Sequence, residues 1–270
     1  MAERDQIIQR NNVGVHGEGS ITLLLAHGFG CDQNMWRFVL PALSQRYRVV
    51  LLDYVGSGGS DISAYDQERY AHLEGYATDL LEVAQALSLK DAVLVGHSVS
   101  ATIGVIAGIN APERFSQQIM ICPSPCFLNK PPYMGGFERE DLEELINLMD
   151  KNYIGWANHL APLVMGHQAD QALTEELATS FCSTDPLIAR TFAEATFFSD
   201  YRHLLAKVRQ PSLLLQCQHD SLASVEVGQY MHQQMPDSQL QILEAEGHCP
   251  HMTHPEQVVQ AIDDYLEAAV

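Results

Sequence analysis

The sequence predicts a doubly wound α/β fold, with a mostly parallel central sheet flanked by helices. Short apolar runs bounded by Gly, Pro, Asp or His recur along the chain, as expected of strands buried on both faces of a sheet. Helical patterns alternate with these runs. A chain of 270 residues that is 46% hydrophobic can bury one large core. We therefore expect one large domain that carries an insertion.

The predicted strands are short and nearly continuously apolar, and they cover residues 21–25, 49–52, 92–95, 119–121, 213–215 and 240–243. The predicted helices share an apolar period of 3.6 residues, and they cover residues 76–87, 99–109, 225–235 and 255–268. Pro255 suits the first turn of the last helix, because proline has no N–H to leave unpaired there. This order of elements indicates parallel strands joined by crossover helices.

The alternation stops between about Pro123 and Gln210. This stretch is helical throughout, with amphipathic patterns over residues 140–149, 153–164, 174–181 and 187–198. Open α/β sheets bind ligands at the carboxyl edge of their strands. The insertion therefore predicts a four-helix lid, residues 123–210, over a core made of residues 1–122 and 211–270.

Composition excludes several classes of partner. The formal net charge is −19, and no cluster of Lys or Arg is available to follow a phosphate backbone. We therefore expect no binding to nucleic acid. We also expect no membrane insertion, because no segment reaches the length of a membrane span, and no binding to an anionic membrane surface. The six cysteines are scattered without a CxxC pair, and the chain starts without a basic region followed by an apolar run. These features predict a cytoplasmic protein with reduced thiols.

The turn between a predicted strand and a predicted helix carries the strongest chemical motif. Gly96-His97-Ser98-Val99-Ser100 resembles the G-x-S-x-G nucleophile elbow, which exposes a reactive hydroxyl above the sheet. The last glycine is replaced by Ser100, a residue small enough for close approach of helix and strand. We expect Ser98 to be a nucleophile.

A serine nucleophile needs a general base, and the base needs a group that holds its tautomer. In the elbow fold these partners follow in the order serine, acid, histidine. Asp220 and His248 each follow a late predicted strand, so both are expected at the same sheet edge as Ser98. Taken alone, Asp220 could be a helix N-cap and His248 an ordinary loop histidine. His97, His219 and His251 are alternative bases, and Glu244 and Glu246 are alternative acids.

Acyl transfer also needs N–H donors for the developing oxyanion. His27-Gly28-Phe29-Gly30 follows the first buried strand, and its glycines allow backbone to approach a ligand closely. We expect the N–H groups of Phe29 and Val99 to be these donors. The alternative is a plain strand-to-helix turn.

Two further motifs have simpler interpretations. The loop 56–60, Gly-Ser-Gly-Gly-Ser, lacks the lysine of a P-loop and the spacing of a dinucleotide site, so we expect a tight loop. The stretch 248–254 is rich in His and Cys but fits no metal-ligand spacing, and a metal there would compete with His248 as a base. The sequence therefore predicts neither a cofactor nor a metal.

Aromatic residues are abundant in the predicted lid. Most should be core, but a lid that covers the site must direct some of them into an apolar substrate pocket. The candidates for this pocket are Phe127, Phe137, Trp156 and Phe197.

Taken together, these residues resemble the α/β-hydrolase superfamily and, within it, the RsbQ-type bacterial stress-signalling hydrolases, relatives of the plant karrikin and strigolactone receptors. The resemblance runs from about Arg10 to the C-terminus. Ser100 differs from the glycine of the bacterial members and agrees with the plant receptors. The matching segments lie partly outside the catalytic motifs and cover residues 27–33, 53–58, 96–99, 152–157, 181–186 and 247–252.

The resemblance implies a lid over a small apolar cavity, a triad of Ser98, Asp220 and His248, and oxyanion donors at Phe29 and Val99. It also implies a partner in signalling, which in RsbQ-type systems is a phosphatase with a PAS domain. Two functions follow as hypotheses. The first is a serine hydrolase that cleaves a small apolar ester, lactone or enol-ether through an acyl-enzyme on Ser98. The second is a ligand-gated receptor in which hydrolysis is slow and binding to a partner is the output.

The same triad would serve a cofactor-free haloperoxidase or a C–C bond hydrolase, so these activities stay open. Haloalkane dehalogenase chemistry is set aside, because it needs an aspartate where this chain has Ser98.

Overall fold

The computed structural model describes residues 3–268, which form one seven-stranded sheet within that range. Its spatial order is β1-β3-β2-β4-β5-β6-β7, with β1 antiparallel to β3 and the remaining neighbours parallel. The strands are β1 (Gly14–His16), β2 (Thr22–Ala26), β3 (Arg48–Leu51), β4 (Ala92–His97), β5 (Phe115–Ile121), β6 (Ser212–His219) and β7 (Ser238–Glu246). The predicted mostly parallel sheet is thereby confirmed.

The helices that accompany the core strands are α1 (Glu3–Arg10), α2 (Leu40–Arg46), α3 (Gln67–Tyr70), α4 (Leu73–Ala86), α5 (Val99–Asn110), α10 (Val225–Gln234), α11 (Pro250–Thr253) and α12 (Pro255–Ala268). The insertion supplies α6 (Arg139–Lys151), α7 (Tyr153–Met165), α8 (Gln171–Ser183) and α9 (Pro186–Phe197). Short 3-10 turns lie at Gln33–Trp36, Ile62–Ala64 and Arg202–Lys207.

The central strands are buried on both faces, which explains their continuous apolar sequence. Leu23 and Leu25 contribute to the apolar layer on one face of the sheet, and Leu24 and Ala26 contribute to the layer on the other. All four are fully buried. Successive strand residues point to opposite faces, so each face needs its own apolar set.

The insertion is helical, as its sequence pattern predicts. Helices α6, α7, α8 and α9 lie between β5 and β6, and each begins with a capping side chain. For example, the Asp185 carboxylate accepts hydrogen bonds from the N–H groups of Leu187 and Ile188 at the start of α9. The segment 122–138 before α6 is mostly irregular.

The predicted core includes both ends of the chain, and the structure describes these ends only in part. Residues 1–2 and 269–270 of the predicted core lie outside the described residues. Along the part of the chain that is described, no helix combines the length and the apolar character needed to cross a membrane.

Candidate active site

Ser98 occupies the sharp turn between β4, which ends at His97, and α5, which begins at Val99. Its φ is +56° and its ψ is −122°, a conformation that a non-glycine residue rarely adopts. The turn brings the backbone so close that a Cβ on Gly96 would lie 2.5 Å from the carbonyl oxygen of Ser100. Glycine is therefore required at position 96. The Ser98 N–H donates to the carbonyl of Ile121 (2.8 Å), which fixes the turn on the neighbouring strand.

Three side chains are linked above the carboxyl ends of β4, β6 and β7. His248 Nε2 lies 2.7 Å from Ser98 Oγ, and His248 Nδ1 lies 2.7 Å from Asp220 Oδ2. The side chains of His248 and Asp220 are 3% and 0% exposed, so water does not compete for these hydrogen bonds. The structure thus brings together the three residues that the strand-end positions predict.

Asp220 is held in place by more than His248. Its Oδ1 accepts hydrogen bonds from the N–H groups of Leu222 (2.8 Å) and Ala223 (3.2 Å). Burial acts to raise the pKa of Asp220, but the nearby His248 and these hydrogen bonds outweigh it and hold the pKa below its ordinary value. Asp220 caps this short turn, while Ser224 holds the N-cap position of α10. The carboxylate is therefore ionised and aimed at the imidazole.

The alternative acids lie elsewhere. Glu244 is exposed, and Glu246 accepts a hydrogen bond from the N–H of His167 (2.7 Å). His219 is also exposed. These placements leave Asp220 as the acid that contacts His248.

Two further histidines lie behind His248. The Nε2 of His97 lies 2.7 Å from the carbonyl oxygen of His248, so this nitrogen carries the proton and donates. Burial and the proximity of His248 lower the pKa of His97 to about 3. The ring of His251 lies 4.4 Å from that of His97, and burial lowers its pKa well below the ordinary value. Both are neutral and positioned behind the relay, where neither contacts the Ser98 hydroxyl as His248 does.

The loop after β2 carries the first predicted oxyanion donor. A Cβ on Gly28 would lie 2.6 Å from His97 Nδ1, so this loop approaches the elbow because residue 28 lacks a side chain. Within residues 3–268 the N–H of Phe29 donates to no other backbone carbonyl. The N–H of Val99 lies in the first turn of α5, where helical N–H groups lack an intrahelical partner. Both N–H groups are therefore free to bind a ligand oxygen.

A small apolar chamber lies over Ser98. Its free volume is about 20 Å³, close to what one water molecule needs. Phe127 and Phe197, both named from the sequence, line it. The remaining lining residues come from the core loops and from α7, α8 and α9, and they are Phe29, Cys31, His97, Ser98, Leu160, Val164, Leu177, Phe181, Thr196, Leu222, His248 and Cys249.

The other two aromatic candidates lie outside this chamber. Phe137 lines a separate recess of about 270 Å³ between α6, α7 and the loop after Asp220. Trp156 is buried behind the chamber, with its ring 5.3 Å from Phe181 and 6.1 Å from Phe29. The prediction thus differs from the structure at Phe137 and Trp156. Phe181 also lines the chamber but is not among the residues predicted from the sequence. The apolar period of a helix does not show which of its buried residues face a cavity.

Two recesses flank the chamber, and each shares wall residues with it. The recess at Phe137 shares Leu160, Phe197 and Leu222 with the chamber and is lined mostly by apolar side chains. A second recess of about 240 Å³ shares Cys31 and Leu177, and several of its walls are polar, namely Asp32, Asn34, Glu176, Thr179, Ser180 and Ser183. Each recess therefore borders the chamber.

Among residues 3–268, two sets of residues of metal-ligating types occur at or beside the site. The first is His97, Cys249 and His251, and the second is Cys122 with Asp220 and His248; within each set the ligating atoms lie within 4.8 Å of one another. Burial raises the pKa of the Cys122 and Cys249 thiols well above the ordinary value, so both are neutral. The expectation that the protein needs no metal stays a prediction.

The glycine-rich loop 56–60 packs against the core. The Asp53 carboxylate accepts hydrogen bonds from the N–H groups of Gly59 (2.9 Å) and Gln33 (2.8 Å). A carboxylate bound by these N–H groups occupies the position that an anion would need. The loop is therefore a structural turn, as the sequence predicts.

Comparison with known proteins agrees with the fold and the site. Residues 23–261 match the alpha/beta hydrolase family. The chain is 39% identical to "Strigolactone esterase D14" of Arabidopsis thaliana over an alignment of 255 residues. This alignment covers 94% of this chain and 95% of that protein. It is 39% identical over 251 residues to "Karrikin insensitive 2 receptor IA" of Petunia hybrida, and this alignment covers 93% of this chain and 92% of that protein. The structure of a hydrolase from Oleispira antarctica superposes with a TM-score of 0.96 at 55% identity, covering 98% and 97% of the two chains.

The chain belongs to the alpha/beta hydrolase family and is an esterase-like hydrolase. Its relatives include proteins named as karrikin and strigolactone receptors or esterases, which confirms the predicted superfamily and its kinship with them. The narrower RsbQ-type assignment stays a prediction.

Proposed function

We propose that this protein hydrolyses a small apolar ester, lactone or enol-ether, through an acyl-enzyme that Ser98 forms at an ester or lactone carbonyl of that substrate. The observation that carries the proposal is the relay in which His248 lies 2.7 Å from both Ser98 and Asp220 at the floor of an apolar chamber. A buried hydroxyl, an imidazole that accepts its proton and an ionised carboxylate are the parts that activate a serine.

In the proposed reaction Ser98 Oγ attacks the substrate carbonyl carbon, and His248 Nε2 takes the hydroxyl proton. The carbonyl oxygen becomes an oxyanion and is bound by the N–H groups of Phe29 and Val99. The tetrahedral intermediate then collapses, and the alcohol leaves with the proton returned by His248. Water enters and attacks the acyl carbon while it loses a proton to His248; the bond from that carbon to Ser98 Oγ then breaks, His248 returns the proton to Ser98, and the acid is released.

Residues 123–210 act as a lid in this proposal, over a core of residues 1–122 and 211–270. Helices α7, α8 and α9 supply much of the chamber wall, and the free volume of about 20 Å³ is too small for any ester. These helices must therefore move, or their side chains must rotate, before a substrate binds.

The test is Ser98→Ala, assayed with p-nitrophenyl acetate and by intact-mass spectrometry. Removal of a serine nucleophile costs about 10⁴-fold or more in kcat, and the acyl adduct on the protein should disappear. Ser124→Ala is the matched control, because Ser124 is equally buried but lies outside the chamber. Retained hydrolysis by Ser98→Ala at unchanged Tm would refute the proposal.

A second candidate function is ligand-gated signalling, in which the small ligand is the input and a lid rearrangement is the output. The observation that favours it is the small volume of the chamber, since binding of a ligand must then be accompanied by movement of the helices or side chains of α7, α8 and α9. The relative of Petunia hybrida is named as a receptor. The PAS-domain phosphatase remains a partner expected from the resemblance alone.

Turnover separates the two functions. A ligand that raises Tm but is hydrolysed more slowly than once in several minutes supports signalling, whereas rapid multiple turnover supports catalysis as the output.

A further inference from the structure

Ser100, the residue that breaks the elbow pattern, is fully buried and makes two hydrogen bonds. Its Oγ lies 2.5 Å from the carbonyl oxygen of His27 and 2.7 Å from the hydroxyl of Tyr54. A carbonyl only accepts, so Ser100 donates to His27 and Tyr54 donates to Ser100. The order of donors is therefore fixed along this chain of hydrogen bonds.

This chain connects the two segments that carry the proposed oxyanion donors. His27 follows β2 and precedes Phe29 by two residues, while Ser100 directly follows Val99 in α5. Through its hydroxyl, Ser100 links the backbone on one side of the oxyanion position to the backbone on the other.

Tyr54 holds the same loop at a second point. Its backbone N–H donates to His27 Nε2 (3.2 Å), and His27 Nδ1 donates in turn to the carbonyl oxygen of Gly28 (2.9 Å). The Tyr54 ring packs against the rings of Tyr76 and Phe192, at centroid distances of 5.4 and 6.3 Å. Tyr54 is therefore held rigidly by its neighbours, and its hydrogen bond to Ser100 fixes the position of the Ser100 hydroxyl beside the elbow.

We propose that Ser100, supported by Tyr54, is a positioning residue that sets the separation of the Phe29 and Val99 N–H groups. A glycine at position 100 would permit the same close approach of helix and strand but would leave the His27 carbonyl without this donor. Oxyanion donors act only when they lie 2.7–3.1 Å from the developing charge. The inference rests on the proposed hydrolysis through Ser98.

Ser100→Ala and Tyr54→Phe test it, because each removes one hydroxyl and keeps the surrounding packing. Loss of a whole oxyanion donor costs about 10²–10³-fold in kcat, so displacement of both donors by a fraction of an ångström should cost about 10- to 100-fold. KM for the ester should stay within about twofold, because the ground-state carbonyl depends little on the oxyanion position. The double variant should lose no more than Ser100→Ala alone, since both act through one chain of hydrogen bonds.

The decisive readout is inhibition by an alkyl trifluoromethyl ketone. Ser98 Oγ adds to its carbonyl carbon, His248 takes the proton, and the former carbonyl oxygen becomes the oxyanion. Its inhibition constant should rise by the same factor as kcat/KM falls. Thr102→Val is the matched control, since Thr102 is a buried hydroxyl of α5 that donates to the Ser124 carbonyl (2.9 Å) and does not contact the loop 27–29.

A Ser100→Ala protein with unchanged kcat and unchanged ketone affinity overturns the inference. So does a loss that Thr102→Val reproduces together with an equal fall in Tm, because that pattern indicates only a buried hydroxyl of α5. If Ser98→Ala is inactive while Ser100→Ala is normal, this inference fails and the proposed function stands. If Ser98→Ala is active, the proposed function itself has failed.

Discussion

The floor and the roof of the chamber are built from different interactions. The floor holds Ser98, His248 and Asp220 by hydrogen bonds of 2.7 Å, which specify both distance and direction. In the roof, the ring of Phe181 packs against Phe29 and Trp156 at centroid distances of 6.1 and 5.3 Å. Aromatic contacts of this kind depend on area and tolerate several arrangements.

The floor of the chamber therefore determines the geometry of the reacting atoms, and the roof determines the volume that is open to a ligand. Polar contacts at the strand ends fix where a reacting atom must lie, whereas apolar contacts from α7, α8 and α9 decide how large a ligand fits. The two parts meet where the N–H of His248 donates to the carbonyl of Val164 in α7 (2.7 Å). A substitution in the floor should therefore act on rate, and a substitution in the roof should act on stability and on substrate size.

The largest effect is expected for Asp220→Asn in the floor. The amide keeps the shape of the carboxylate but carries no charge and favours the wrong tautomer of His248, so kcat should fall about 10⁴-fold. KM and Tm should change little. The measurement is steady-state kinetics with p-nitrophenyl acetate, and Glu246→Gln is the control, because that carboxylate contacts His167 instead. A loss of less than tenfold would show that Asp220 does not orient the base.

A smaller effect is expected for Phe181→Ala in the roof. Truncation of a buried phenylalanine costs about 3–5 kcal/mol of unfolding free energy. It also enlarges the chamber, so kcat/KM for p-nitrophenyl butyrate relative to the acetate should rise about tenfold. Phe192→Ala is the matched control, since Phe192 is buried against Phe29 and Tyr76 without lining the chamber. Equal changes in substrate preference for both variants would contradict the assignment of Phe181 to the wall.

The smallest effect is expected when the pH falls from 7 to 5, and it again separates the floor from the roof. The pKa of His97 is about 3 in the folded protein and 6.5 in the unfolded chain, so the unfolded chain binds more protons between these values. The contribution of His97 to the free energy of unfolding is therefore fully present above pH 6.5. It decreases by about 1.4 kcal/mol per pH unit as the pH falls toward 3. The lowered pKa of His251 adds a contribution of the same sign.

Denaturant unfolding at pH 7, 6 and 5 measures this slope. His251→Phe should reduce the slope, because one buried neutral histidine is removed, while Phe192→Ala in α9 should lower stability equally at every pH. An unfolding free energy that is constant from pH 6.5 to 5 would show that His97 and His251 take up protons without unfolding.

Sequence periodicity was sufficient for most of the fold. Continuous apolar runs such as residues 92–95 correspond to strands buried on both faces, and the helices of the insertion lie within a few residues of their predicted limits. β1 escaped the prediction because Gly14–His16 has three residues, mostly exposed, and pairs antiparallel at the sheet edge. Helix α2 was missed because its seven residues bury Leu43 and little else.

Strand ends carried the information about the site. Ser98, Asp220 and His248 each follow a strand, and the carboxyl ends of parallel strands meet at one edge. The chamber was harder to predict, because Phe137 and Phe181 differ in the cavity that each lines and not in any local sequence pattern. The bond between Ser100 and Tyr54 joins residues 46 positions apart, and no spacing rule connects them.

The chamber over Ser98 has room for about one water molecule. If a ligand enters only after the roof rearranges, its apparent affinity is the intrinsic affinity multiplied by the fraction of molecules in the rearranged conformation. Anything that shifts this fraction changes apparent affinity without touching the ligand. We therefore expect a substitution at the junctions of α7, α8 and α9 to change the apparent affinity through this fraction.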